Sequence, residues 1–238
     1  MGTILVIIEG MDNTGKTTLI EQYKRIVLGL NPDTKVQVIH MEKPSQDLID
    51  TTYEDNIPFS IKKKQIINYN KVNEFQHNAY MNLPTKLYEI KTKNDSPDII
   101  ILDRAWISEY VYGYLYRNRN KHDIIIDNVI IEKKIMNIFG EDNVFLVHLY
   151  PENIDFIENH EDGKSLAVLN AKEMYPDDEN FQRQYIRRRL NEELYYFSEA
   201  FNELSILKHK QPIQVNKTGS KNEFINSIPV QMFEFIHM

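Results

Sequence analysis

The 238-residue chain reads as a single α/β domain: a five-stranded parallel sheet with helices on both faces. Three observations predict it. Short, unalternated apolar runs recur at residues 4–8, 99–102 and 144–149, the pattern of strands buried on both faces. Helical patterns separate them, as parallel pairing requires, because every crossover must carry the chain back across the sheet. The first run breaks at Gly10 into a glycine-bounded loop that ends on a lysine and two threonines and opens a helix.

Composition narrows the function. A hydrophobic share of 42% suffices for a large core in one domain spanning residues 1–238. Cysteine is absent, which excludes disulfides and thiolate metal sites and fits a reducing compartment. The formal net charge of −7 argues against wrapping long nucleic acid, which needs a basic face, whereas a small anion needs only a local cluster of cations. The first apolar run has no basic leader, and no apolar run reaches the length of a membrane span. We therefore expect a cytoplasmic protein without membrane attachment.

In chain order, residues 4–8 form the first strand, and Gly10-Met11-Asp12-Asn13-Thr14-Gly15-Lys16-Thr17 matches G-x-x-x-x-G-K-[ST]. The two glycines let the backbone curve around an anion, so that successive N–H groups and a helix start face a polyphosphate. Gly10, Asn13, Thr14, Gly15, Lys16, Thr17 and Thr18 make up this nucleotide-phosphate site. Lys16 reaches the β and γ phosphates, and the Thr17 hydroxyl is placed to ligate Mg²⁺. The helix that follows is expected to end near Leu28, before Gly29 and the turn Asn31-Pro32-Asp33. Residues 35–40 form the second strand. Lys43 follows at its carboxyl end, where open parallel sheets place ligands, and is a candidate phosphate contact.

Residues 46–58 read as loop and residues 60–91 as helix, with Pro84 the point where that helix could break. Lys62-Lys63-Lys64 reads as a solvated face. Phe75, Gln76 and Tyr80 are placed on this helix, where they are candidates to stack on or hydrogen-bond a base. Residues 98–102 form another buried strand, and Asp103 and Arg104 stand at its carboxyl end. A carboxylate and a guanidinium there are costly unless paired or at work. Arg104, Ser108 and Tyr112 follow i, i+4, i+8 spacing and are expected to share one helix face. Trp106, Tyr110 and Tyr114 form a separate stripe that reads as core. A helix over 126–139, a strand over 144–149, a polar loop over 151–180, a helix over 177–207, a strand over 211–216 and a helix over 222–235 complete the prediction. His148 is read as a hydrogen-bonded structural histidine.

Two segments resemble one family. Glu9-Gly10-Met11-Asp12-Asn13-Thr14-Gly15-Lys16-Thr17-Thr18 is similar to the E-G-x-D-x-x-G-K-[ST]-T loop of thymidylate kinases, and the segment from Asp103 to Tyr112 is similar to their D-R-x-x-x-S-x-x-A-Y. The resemblance covers roughly residues 1–150. It implies a P-loop kinase fold whose lid, at about 151–180, closes over ATP. It also implies transfer of the γ-phosphoryl of Mg-ATP to the 5′-phosphate of a deoxynucleoside monophosphate, with ATP and Mg²⁺ as cofactors and a homodimer as the family expectation. By this resemblance Asp12 faces the acceptor's sugar and Arg104 holds its phosphate. Asp103 arranges the magnesium and substrate network with Thr17, Lys43 adds a second phosphate contact, and Ser108 and Tyr112 complete the acceptor site.

Three positions depart from the family. Asn13 stands where some members carry a transition-state arginine, and residues 151–182 contain none, which leaves Lys164, Lys172, Arg183 and Arg187 as candidate cations. Ala79 follows Phe75 by one turn where the family has arginine, so Gln76 becomes the candidate base reader. Gly113 replaces a glutamine. Two other readings stay open: a deoxynucleoside kinase acting on a free 5′-OH with Glu42 as base, and a nucleotide-dependent switch. Asp12 favours the monophosphate kinase, and Asn216-Lys217-Thr218-Gly219 lacks the aspartate that a guanine reader requires.

Overall fold

In a computed structural model, residues 2–41, 69–152, 154–155, 166–215 and 221–237 are described. Glu42, Lys43, the lysine run 62–64 and Lys164 lie outside them. Five strands, β1 (Ile4–Gly10), β2 (Val36–His40), β3 (Ile99–Asp103), β4 (Val144–Pro151) and β5 (His209–Val215), pair in the order β2-β3-β1-β4-β5. All four pairings are parallel. The described helices are α1 (Lys16–Leu30), α2 (Tyr69–Lys91), α3 (Trp106–Arg117), α4 (Lys121–Phe139), α5 (Leu166–Met174), α6 (Glu179–Glu199) and α7 (Lys221–His237).

Strand side chains alternate between faces, and the core divides accordingly. Leu5, Ile7, Ile100, Leu102 and Leu146 turn to one face, covered by Leu83 and Leu87 of α2, Trp106 and Tyr110 of α3, Ile131 of α4 and Phe197 of α6. Val6, Ile8, Ile101 and Val147 turn to the other, covered by Leu19 and Tyr23 of α1 and Met232 of α7. Each such side chain contributes about 1.5–3 kcal/mol on burial, so both faces hold β1 at the centre of the sheet. That centring puts the end of β1 where strand connections depart to both sides, the usual ligand crevice of open parallel sheets.

Several element boundaries differ from expectation. α1 continues through Gly29 to Leu30, because Gly29 faces open space and costs only propensity there. α2 runs unbroken through Pro84: the proline forfeits one backbone bond, but Leu83 and Leu87 are buried on either side of it. α4 begins at Lys121, five residues earlier than the apolar pattern suggests, because the Asn120 side chain accepts the His122 N–H at 2.8 Å and caps it. The segment read as polar loop contains α5, whose buried Ala167 and Ala171 lie one turn apart and let it pack closely on α6. The long helix stops at Glu199 in a π turn over Ala200–Leu204, closed by Ser205 N–H to the Ala200 carbonyl at 2.9 Å.

His148 is buried in β4 and stacks on Phe197 and Phe201. A hydrogen-bonded histidine was expected here, but its Nε2 has no hydrogen-bond partner among the described residues. Burial first, and then the charge of Lys16, lower its pKa to about 4.

Candidate active site

The last position of β1 accepts only glycine. Gly10 has φ +145°, and a Cβ there would stand 2.3 Å from the Leu149 carbonyl oxygen of the neighbouring strand. Asn13 at φ 62° and Gly15 at φ 84° complete the curl into α1. Thr14 braces it by donating its hydroxyl to the Met11 carbonyl at 2.9 Å. Gly15 caps α1 without a side-chain bond, so the first-turn N–H groups have no capping side chain, and Thr17 and Thr18 are exposed beside them.

Lys16 folds back over this loop and donates to the carbonyls of Gly10 at 2.9 Å and Met11 at 2.6 Å. It is only 7% exposed. Burial, and next the Arg104 charge, pull its pKa down to about 7 against the opposing influence of Asp12, Asp103 and Glu9. The ammonium is therefore short of negative charge, which a polyphosphate would supply.

The end of β3 provides the second half of the site. Asp103 lies in register with His40 of β2, and His40 Nδ1 stands 2.9 Å from Asp103 Oδ2. Arg104 takes a left-handed backbone, φ 67°, and its N–H donates to the Ile8 carbonyl at 3.0 Å, so the chain turns out of the sheet against β1. Its guanidinium pairs with the Asp12 carboxylate and lies 5.4 Å from the centre of the Tyr112 ring. Desolvation works against that charge, but Tyr112, Asp12 and Glu9 outweigh it, and the Arg104 pKa stays above its ordinary value.

The expected helix face of Arg104, Ser108 and Tyr112 does not form, because α3 starts two residues after Arg104. Ser108 is 3% exposed and donates its hydroxyl to Glu9 Oε2 at 2.6 Å. Glu9 also accepts the Ala105 N–H at 2.7 Å and the Ser108 N–H at 3.3 Å. Burial raises the Glu9 pKa, while these bonds and Arg104 oppose the rise. A carboxylate at the start of α3 thus ties β1 to the Asp103-Arg104 turn. Sequence reasoning quoted Glu9 but gave it no task; its signal was an acidic residue ending an otherwise apolar buried strand.

The two strand ends enclose a cleft of about 750 Å³ lined by Asp12, Asn13, Gly15, Lys16, Thr17, Thr18, His40, Met41, Asp103 and Arg104. The volume is of nucleotide size. Eight of these ten residues were candidates from the sequence; His40 and Met41 were missed, and only their place at the end of β2 pointed to them. Thr17 and Asp103 share the cleft and are the hard oxygen donors that Mg²⁺ takes alongside phosphate oxygens, so the residues fit that ion.

Phe75, half-buried, and Gln76, buried on α2, do not line the cleft, and neither does Tyr112 beneath Arg104. Lys172 and Arg183 are exposed, and Arg187 donates to Asp155 at 2.7 Å. At Gly113 a Cβ would meet Glu109 Oε1 at 2.8 Å, so the space of the family's glutamine side chain is held by Glu109 and its partner Arg117.

No protein-family model and no curated protein matches the sequence. Among solved structures, the chain is similar to thymidylate kinase from Ehrlichia chaffeensis, with a TM-score of 0.50 and 11% identity over 98% of each chain. Thymidylate kinase from Candida albicans gives a TM-score of 0.49 and 17% identity over 99% of this chain and 91% of that one. At such identity the Ehrlichia likeness shows the fold: the chain has the five-stranded parallel α/β fold of a thymidylate kinase.

Proposed function

We propose that this protein is a nucleoside monophosphate kinase, transferring the γ-phosphoryl of Mg-ATP to the 5′-phosphate of a deoxynucleoside monophosphate. The observation that carries this reading is the joining, in one cleft, of the Gly10 to Thr18 loop with the Asp12–Arg104 pair and Asp103.

Phosphoryl transfer asks little covalent chemistry of a protein: two polyanions must be held in line while charge between them is neutralised. The loop N–H groups and Lys16 hold the donor phosphates, and Lys16 exchanges its carbonyl partners for phosphate oxygens. Arg104 binds the acceptor phosphate, its side chain steadied by the Tyr112 ring. That contact frees Asp12 to accept from a sugar hydroxyl. Thr17 and Asp103 would hold magnesium, which would supply charge neutralisation on the donor phosphates. Ser108 acts through Glu9, fixing the start of α3 and with it Arg104. Phe75 and Gln76, which do not line the cleft, are proposed base contacts on the family resemblance alone, and Lys43 is the proposed second phosphate contact. The segment 151–180, which includes α5, is the proposed lid, and Lys164, Lys172, Arg183 or Arg187 the cation that arrives with it.

The test is ADP release from Mg-ATP against a panel of deoxynucleosides and their 5′-monophosphates. Turnover that depends on a monophosphate supports the proposal and names the base. Turnover with nucleosides alone would replace it by the 5′-OH reading with Glu42 as base, and ATP hydrolysis indifferent to any acceptor would replace it by a switch.

A further inference from the structure

Among the described cleft residues, His40 makes a side-chain contact with another functional candidate, Asp103, that the proposed chemistry does not use. It is the last residue of the edge strand β2, and the parallel register sets it directly across from Asp103. The His40 side chain is 65% exposed and that of Asp103 12% exposed, with Nδ1 and Oδ2 2.9 Å apart. A contact this open to water adds little to stability. Its consequence is directional: a carboxylate at a strand end rotates about two side-chain torsions, and an N–H fixed on one oxygen selects one setting and leaves the other oxygen uncommitted. Partners of this kind orient a ligating group.

We propose that His40 is a positioning residue for Asp103: its Nδ1–H holds Oδ2, so that Oδ1 is presented toward the magnesium of a bound Mg-nucleotide. This rests on the nucleotide-kinase reading of the cleft. It makes a geometric demand on the side chain at position 40, an N–H at the δ position, which asparagine meets and glutamine does not.

The experiment is calorimetric titration with ADP, once with excess Mg²⁺ and once with EDTA, on the wild type, His40→Ala, His40→Asn, His40→Gln, and His40→Ala combined with Asp103→Asn. Thermal melts confirm that each variant is folded. His40→Ala is expected to cut the magnesium-dependent gain in ADP affinity by about 10-fold while leaving the EDTA affinity unchanged. His40→Gln should behave like His40→Ala, and His40→Asn should retain most of the gain. In the Asp103→Asn background, removing His40 should cost nothing more. An unchanged magnesium gain in His40→Ala, or equal losses in the asparagine and glutamine variants, would reduce the pair to a cross-strand contact and overturn the inference. Wild-type protein that binds no ADP, or binds it without a magnesium gain, would instead sink the kinase reading and this inference with it.

Discussion

Two clusters in this molecule are built from the same groups, carboxylates against arginines, and they are organised in opposite ways. At the cleft, Asp12 and Arg104 form an ion pair whose side chains are 41% and 24% exposed. Between α2, α3 and α4, Glu109 takes both Arg117 and Arg119, Arg119 continues to Asp127 at 2.9 Å, and His77 reaches Asp127 at 2.9 Å. There the Glu109 side chain is only 4% exposed, and those of its partners Arg117 and Arg119 are 15% and 12% exposed. A half-wet pair can trade its partner for a phosphate at small cost, since water already screens both groups. A dry pair cannot, because whichever charge is left behind is stranded without solvent. The first cluster can therefore change partners at little cost, as the proposed function requires of it, and the second holds three helices together. Gly113 belongs to the clamp, because any side chain there would strike Glu109.

The largest effect should come from the cleft. Lys16→Ala is expected to lower phosphoryl transfer by on the order of 100- to 1,000-fold or more, read as ADP release with the preferred acceptor. Near-normal turnover would remove the phosphate loop from the chemistry. The clamp should answer in stability instead. Glu109→Ala should cost about 3–5 kcal/mol in urea unfolding while the remaining folded protein keeps its ADP affinity. Matching losses in both measurements would erase the distinction between the clusters.

The buried histidine beneath the cleft provides a pH test. His148 binds its proton near pH 4 in the folded protein and near 6.5 when unfolded, so between those values the unfolded chain holds more protons. Stability should accordingly fall as pH drops from 6.5 to 4, by up to about 3 kcal/mol from this residue. His148→Phe, which keeps the stacking on Phe197 and Phe201, should flatten that part of the urea-unfolding profile. An equally steep profile would place the acid sensitivity elsewhere.

The smallest change in stability belongs to Arg104→Ala. It should shift unfolding by only about 1 kcal/mol, since the Asp12 side chain left behind is 41% exposed and water can take over its partner's place. Acceptor KM should nevertheless rise about 10- to 100-fold, the worth of one or two charge-assisted bonds, with the KM for ATP little changed. A purely structural Arg104 would show the reverse pattern in kinetics and denaturation.

The fold was largely legible because its signals are local. An unalternated run such as residues 4–8 has one sensible environment, and a glycine-bounded loop leading to Lys16 and Thr17 is read within eight positions. Errors arose where a neighbour distant in sequence overrode the local cue. Pro84 reads as a breaker, yet the helix holds because Leu83 and Leu87 are buried. α5 looked like loop because its apolar stripe is carried by alanines, whose contribution depends on α6 being there. Ser108 matched the family's acceptor-site serine by resemblance, and only the end of β1, 99 residues earlier, commits it to Glu9.

By itself, then, the sequence determined the strand class, the parallel order of strand and helix, and the glycine-bounded turn that leads into Lys16 and Thr17, all set by periodicity and backbone freedom over a few residues. It also placed Asp12, Asp103 and Arg104 at strand ends. The tertiary structure alone decided which of these groups meet. His40 and Asp103 are 63 residues apart in the chain, Asp12 and Arg104 are 92 apart, and the left-handed turn at Arg104 has no glycine to announce it. Such juxtapositions follow from sheet order and register, which depend on how two buried faces pack around β1 and on no local pattern.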